Sequence, residues 1–194
     1  MSTAIAQDQL REALLRSSRA VSARVEALRD LSPAQLGWAP PEGGWGVGQV
    51  LEHLCVAHDS YLVRLRTLVP PRDASGGASG GASGGATWRP SVMGRMLVHS
   101  QRSPRRLPAP RMYRVGPTPR PGVADEFLAR ERELEELMER AAPLDWRGVR
   151  LSSPISGFVR LNLGDAFMLG VVHAERHLGQ IERVMGREGF PASD

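Results

Sequence analysis

Four long segments with apolar residues at helical spacing limit what this chain can fold into. They cover about residues 3–30, 47–68, 123–141 and 163–187 of the 194-residue sequence. In each segment, leucine, valine, alanine or methionine recurs every three or four positions, which is the pattern of a helix that buries one face. No segment shows the convincing alternation of a strand. The sequence therefore predicts an all-α fold, a four-helix bundle, because one-sided helices bury their apolar faces against one another.

The connection between the second and third of these helices is long and unusual in composition. A repeat of glycine, serine and alanine covers about residues 73–87. These residues have little apolar side-chain surface to bury, so the repeat predicts a flexible linker. The segment of about 88–122 contains eight arginines, many prolines and no acidic residue, with a short helix expected over 89–99. The length suits a single domain over residues 1–194 that carries this linker and this insert.

Composition excludes several classes of function. All 25 basic residues are arginine, so chemistry that needs a lysine Schiff base is excluded. The arginines of the insert are interleaved with aromatic residues only at Trp88 and Tyr113, and no helix has a basic face, so nucleic-acid binding is not expected. No apolar run approaches the ~20 residues of a membrane span. The single cysteine, Cys55, is expected to be a packed apolar residue, and a cytoplasmic protein is predicted.

Two histidines on the fourth helix form the first candidate site. His173 and His177 lie four residues apart, so they project from one face, roughly 40° apart around the helix. Two imidazoles at this spacing can bind one divalent ion, and a metal would relieve one desolvated nitrogen on each ring. Spacing alone leaves open the alternative of two hydrogen-bonded core histidines. The motif is not the H-E-x-x-H of metalloproteases, because Glu175 projects from the opposite side of the helix.

The second helix contains two further histidines, and only one of them can lie at the centre of its apolar stripe. Its apolar stripe centres near His58, whereas His53 is displaced from that centre by roughly 120° on a helical wheel. Periodicity alone therefore predicts that His58 points inward, and the spacing between the two makes it hard for both to reach one ion.

Two sequence blocks carry a resemblance to a known family. The block W-G-V-G-Q-V-L-E-H-L runs from Trp45 to Leu54, and V-H-A-E-R-H-L-G-Q-I runs from Val172 to Ile181. In order and separation they resemble the DinB-like superfamily, metal-dependent enzymes that include bacillithiol transferases. The resemblance implies a four-helix bundle with an ion near one end, bound by His53, His173 and His177. It makes His58 a pocket residue, a residue that supports a ligand from behind, or a core histidine.

The resemblance also implies an activity. It points to an enzyme that transfers a low-molecular-weight thiol to an electrophilic small-molecule substrate through the metal site. A metal-dependent hydrolase is the closest alternative, and a non-catalytic metal-binding or stress-response protein is another. Zinc is the default divalent ion, although nickel and iron also suit imidazole ligands. A homodimer is the expected assembly.

No spacing argument selects a catalytic residue. Glu42 and Glu52 are close to the site in sequence and could move protons. Arg89 and Arg95 could bind carboxylates of a thiol cofactor, but a solvated surface is the favoured interpretation of these arginines.

Overall fold

A computed structural model describes residues 4–71, 86–103 and 109–192. Its helices are α1 (Gln7–Glu26), α2 (Pro33–Gly37), α3 (Val47–Leu68), α4 (Val92–Arg102), α5 (Val123–Arg140) and α6 (Leu163–Met185). Two short antiparallel strand pairs join them: β1 (Ile5–Ala6) with β2 (Thr87–Trp88), and β3 (Arg150–Ser152) with β4 (Arg160–Asn162). The predicted all-α class is confirmed, whereas the two small strand pairs were not expected.

The four long helices match the four predicted segments. Helix α3 packs against α5 and α6, and α1 packs against the same two helices. Helix α4 lies on α6, so a fifth helix joins the arrangement and the strict count of four stays a prediction. None of the described helices combines the length and apolar character that a bilayer span demands.

The core consists of two apolar clusters that follow one another along the long helices. One cluster uses three leucines of α1 (Leu10, Leu14 and Leu15), Leu62 and Leu65 of α3, and apolar residues in the first half of α6. The other uses Val21 and Val25 of α1, the apolar residues within 47–55 of α3, and apolar residues in the second half of α6. The boundary falls at polar residues on each helix, namely Ser18, His58, Glu131 and His173. The protein therefore has a polar layer between two apolar halves.

Side-chain caps set where the helices begin. Oγ of Ser32 accepts a hydrogen bond from the backbone N–H of Gln35, which caps the start of α2. At the start of α6, Oδ1 of Asn162 accepts from the N–H of Asp165 at 2.8 Å, and the Asp165 carboxylate accepts from the N–H of Asn162 at 3.1 Å. Each cap satisfies amide groups that have no partner within the helix.

The arginine-rich segment is attached to α6 at both ends of α4. The helix expected over 89–99 is observed as α4, which begins and ends about three residues later. It begins after Ser91, whose side chain caps it, and it ends shortly before Pro104 in the sequence. Asp165 accepts from the N–H of Ser91 at 3.2 Å, and Nη1 of Arg176 donates to the carbonyl of Gln101 at 2.8 Å. Gly94 allows close approach, since a Cβ there would lie 2.2 Å from the Asp165 carboxyl.

The predicted linker lies mostly outside the described residues. Of its predicted span, only the last two residues, Ala86 and Thr87, are described. Thr87 pairs with Ala6, and the N–H of Gln7 donates to the carbonyl of Ala86 at 2.8 Å.

Helix α3 is expected to depend on a glycine at its start. A Cβ at Gly46 would lie 2.0 Å from the carbonyl oxygen of Trp38, although its φ of −76° is open to any residue. Gly46→Ala should therefore lower the free energy of unfolding by about 1–3 kcal/mol through overpacking, measured by urea denaturation. The control is Gly37→Ala, where nothing lies within 4 Å of the added Cβ and the stability should be unchanged or slightly higher. Equal stability of the two variants would show that the contact at Gly46 is not rigid.

Candidate metal centre

The three histidines implied by the resemblance lie together between α3 and α6. His53, His173 and His177 each place one ring nitrogen within 4.8 Å of those of the other two. Nε2 of His53 lies 3.3 Å from Nε2 of His173. The ring centroids are 4.5 to 5.2 Å apart in all three pairs. Two helices that are far apart in sequence thus bring their imidazoles to one point, which lies near the middle of α6.

A backbone carbonyl from the arginine-rich insert orients His53. Nδ1 of His53 lies 2.9 Å from the carbonyl oxygen of Tyr113, in a 3-10 helix at Arg111–Tyr113. A carbonyl can only accept, so Nδ1 carries the hydrogen and Nε2 of the neutral ring keeps its lone pair. The Tyr113 hydroxyl bonds Oγ of Ser60 on α3 at 2.9 Å, which fixes the turn against that helix. Sequence reasoning missed this role, because a backbone carbonyl leaves no signature in the residue type.

A glutamine on α6 orients His177 in the same way. Nδ1 of His177 lies 3.0 Å from Oε1 of Gln180, so the Nδ1–H donates and Nε2 keeps its lone pair. The two residues are three apart, a spacing that places side chains next to each other on a helix. This spacing is visible in the sequence, so Gln180 could have been identified there as a partner of His177.

Burial keeps the three rings neutral. Desolvation lowers the pKa of His53, and burial together with the nearby His177 and His53 holds the pKa of His173 well below its ordinary value. Burial is also the main reason that the pKa of His177 falls to about 3. A neutral imidazole is the form that binds a metal, so binding an ion requires no net loss of a proton from the three rings.

The arrangement fits a divalent transition-metal ion. Two of the rings direct an Nε2 lone pair inward, and the 3.3 Å contact brings Nε2 of His173 to the same point. Without an ion, a proton on Nε2 of His173 can bridge this contact; with an ion, that proton belongs on Nδ1. A donor set made only of imidazole suits zinc, nickel, iron or copper better than calcium or magnesium. Three protein ligands also leave at least one position for a substrate or water.

His58 is buried but takes no part in the cluster. Its Nδ1–H donates to the carbonyl of Leu54 at 3.0 Å, and its Nε2 pairs with Oε1 of Glu131 on α5 at 2.7 Å. The other oxygen of Glu131 accepts from the hydroxyl of Ser18 at 2.6 Å. Both ring nitrogens are therefore occupied, and His58 belongs to the polar layer that links α1, α3 and α5. Of the roles considered from the sequence, this is the core histidine.

The other residues considered from the sequence lie outside the cluster. Glu42 forms an ion pair with Arg187, and Glu52 accepts from the backbone N–H and the side chain of Arg120. Burial raises the pKa of the Cys55 thiol to about 12, which agrees with a packed residue and not with a nucleophile. Arg89 and Arg95 are exposed, in line with the solvated surface favoured for them.

The chain was compared with known protein families, with curated proteins and with solved structures. A model of the DinB superfamily matches residues 14–181, a span that contains all three histidines and both blocks quoted above. The chain belongs to the DinB superfamily. No significant match to a curated protein or to a solved structure was found. Membership agrees with the helical fold and with a histidine cluster that is compatible with a metal site.

The metal-free protein is expected to lose stability as the pH falls below about 6.5. Unfolded histidines take up protons near pH ~6.5, whereas the pKa of His177 in the folded protein is about 3. The unfolded state then binds more protons, so the free energy of unfolding should fall by up to about 1.4 kcal/mol per pH unit for each such histidine. The loss continues until the pH reaches the lower pKa of the folded state.

Urea denaturation of chelator-treated protein between about pH 5 and pH 7 measures this slope. His177→Gln should reduce it, whereas His99→Gln, which removes an exposed histidine of α4, should not. Identical slopes for the wild type and His177→Gln would contradict the neutral, buried state of His177.

Proposed function

We propose that this protein is a divalent-metal-dependent enzyme that transfers a low-molecular-weight thiol to an electrophilic small molecule. One observation carries the proposal: three neutral imidazoles from α3 and α6 converge with their ring nitrogens within 4.8 Å of one another. Membership in the DinB superfamily supports it, since the two sequence blocks that supply these histidines lie inside the matched region.

The histidines would hold the ion, and the surrounding residues would keep them in place. A bound zinc, nickel or iron ion would supply Lewis acidity, which lowers the pKa of a thiol or a water at the free position. The Tyr113 carbonyl and the Gln180 amide fix the two rings from behind, a form of support that commonly strengthens metal affinity. The partly exposed ring of Trp45 lies with its centroid 4.8 Å from that of His53 and offers an apolar surface beside the site.

The transfer requires no further redox partner. The thiol loses its proton to solvent, its sulfur forms a bond to an electrophilic carbon, and the leaving group departs with the electrons of the broken bond. The protein contributes by excluding water from the buried rings and by holding the reactants close together. Hydrolysis needs the same site with water in place of the thiol, so substrate tests must separate the two reactions.

We also propose a cytoplasmic location. The cytoplasm contains reduced low-molecular-weight thiols, and the single buried thiol of Cys55 is compatible with such a reducing environment. We further propose the homodimer expected from the sequence, and a small molecule as the ligand in preference to a nucleic acid or a membrane.

Metal binding is expected to depend on the triad of His53, His173 and His177. Untagged protein should contain about one divalent ion per chain, measured by inductively coupled plasma mass spectrometry, because three neutral imidazoles form a single site. His173→Ala should lose most of this metal, whereas His99→Ala should retain it. A wild-type protein that holds no ion and takes up none on dialysis against zinc, nickel or iron would end the proposal.

Turnover distinguishes the remaining functions. Metal-loaded protein is incubated with an electrophilic aryl halide and a panel of cellular thiols, and the loss of free thiol is followed. The buried Cys55 should not consume the electrophile, so the background stays low. Thiol consumption that disappears in His173→Ala supports the transferase. Ester hydrolysis without thiol transfer would replace it with a hydrolase, and metal binding without either reaction would replace it with a binding protein.

The support given by Gln180 is expected to appear in the metal affinity. Gln180→Leu removes the oxygen that accepts from Nδ1–H of His177, so the zinc affinity should fall by about 10–100-fold. Gln180→Glu keeps an acceptor and should retain the affinity or increase it. Competition titration with a chromogenic chelator measures both variants. Equal losses in the two would show that volume at this position matters and the hydrogen bond does not.

A further inference from the structure

The segment that orients His53 is attached to helix α3 at both of its ends. It comprises residues 113–120 of the arginine-rich insert and is here called the strap. At its first end, Oγ of Ser60 donates to the carbonyl of Ala57 at 2.7 Å, so the Tyr113 hydroxyl, 2.9 Å away, donates to Oγ of Ser60. The carbonyl of the same tyrosine lies 2.9 Å from Nδ1 of His53. This end of the strap therefore carries both an anchor and the contact with the metal site.

A buried carboxylate holds the other end of the strap. Glu52 directly precedes His53 on α3, and only 6% of its surface is exposed. Its Oε1 accepts from the backbone N–H of Arg120 at 2.7 Å and from Nε of the same residue at 3.1 Å. The Arg120 side chain is 54% exposed, so water screens its charge and the backbone N–H is the main anchor.

The middle of the strap follows the same side of α3. The carbonyl of Gly116 accepts from Nε2 of Gln49 at 3.0 Å. Pro119 lies on Gly48, where an added Cβ would be 2.4 Å from the proline side chain. These contacts keep the strap aligned with α3 between its two ends.

Two neighbouring residues of α3 thus depend on opposite ends of one segment. A carboxylate is costly to bury unless it accepts strong hydrogen bonds, and a bond from an N–H to a charged oxygen is stronger than a neutral one. Detachment of the strap would take both donors of Arg120 away from Glu52. It would also leave Nδ1–H of His53 without its acceptor, which is unfavourable for a buried group.

We propose that Glu52 is a positioning residue for the metal site and that it acts through the strap. By holding Arg120, it keeps the Tyr113 carbonyl against Nδ1–H of His53, which leaves the lone pair of Nε2 free for the ion. This inference rests on the proposed metal site, and it gives Glu52 a role other than the proton transfer considered from the sequence. Because coupling between two equilibria is reciprocal, a bound ion also stabilises the attached strap.

The zinc affinity tests the role of Glu52, and competition titration with a chromogenic chelator measures it. Glu52→Ala removes the anchor and should weaken zinc binding by about tenfold. Arg120→Ala keeps the bond from the backbone N–H and should weaken zinc binding less. The matched control is Glu126→Ala, which removes a carboxylate that binds the Arg120 side chain at 3.1 Å and not its backbone N–H. This control should keep the wild-type affinity.

A double-mutant cycle separates positioning from general structural damage. Tyr113→Phe removes the hydroxyl that donates to Ser60, so it releases the first end of the strap and should also weaken zinc binding. Release of one end already frees the carbonyl, so the double variant with Glu52→Ala should lose less affinity than the product of the two single losses. Losses that multiply in full would show two independent effects and would overturn the common route through the strap.

Hydrogen–deuterium exchange tests the reciprocal effect without any measurement of activity. In the wild type, zinc should slow the exchange of the backbone amides of the strap, whereas the amides of β3 and β4 serve as the internal reference. In metal-free Glu52→Ala, the strap should exchange faster than in the metal-free wild type. Equal exchange in these two proteins would contradict the anchor itself.

The outcomes separate this inference from the proposed function. Equal zinc affinity in Glu52→Ala and the wild type, or an equal fall in Glu126→Ala, would overturn the role of Glu52 and leave the metal site intact. A wild-type protein that binds no zinc would overturn the metal site and this inference together. Weaker zinc binding in Glu52→Ala but not in Glu126→Ala, together with faster exchange of the strap, supports the proposal whatever reaction the site catalyses.

Discussion

The contact between α3 and α6 at the three imidazoles is the interaction on which the rest of the site depends. Burying three rings removes water from six ring nitrogens, which is unfavourable unless each nitrogen finds a partner. The Tyr113 carbonyl and the Gln180 amide satisfy the outer nitrogens of two rings, and the inner nitrogens face one another. Because desolvation also keeps the rings neutral, a single packing contact creates both the geometry and the protonation state that a metal ligand requires.

The polar layer through the middle of the protein explains how one helix can bury two histidines. His58 faces α5 and bonds Glu131, which in turn accepts from Ser18 of α1. His53 faces α6 and the triad. The two rings thus serve different neighbours of α3, and each is satisfied separately. The hydrogen bond between His58 and Glu131 also restricts the rotation of α3, since a turned helix would remove His58 from the Glu131 carboxylate.

The arginine-rich insert has a structural role that its composition conceals. It contributes helix α4, which is bound to α6 through Asp165 and Arg176, and the turn whose carbonyl orients His53. Trp88, at its start, donates from Nε1 to the side chain of Asn162 at 2.9 Å, so the segment also supports the cap of α6. The insert is therefore part of the wall of the site, through the backbone carbonyl that it places against His53.

The sequence by itself determined the helices, their approximate limits and the pair His173 and His177, because these depend on local periodicity. Periodicity could not show which histidine of α3 belongs to the metal site, because a helical wheel has one centre whereas α3 packs against two neighbouring helices. The choice of His53 over His58 came from the resemblance to the family. Only the tertiary structure revealed Tyr113, whose contribution is a backbone carbonyl 60 positions away from its partner. Interactions between distant residues are set by packing, and packing is the part of the free energy that local patterns do not contain.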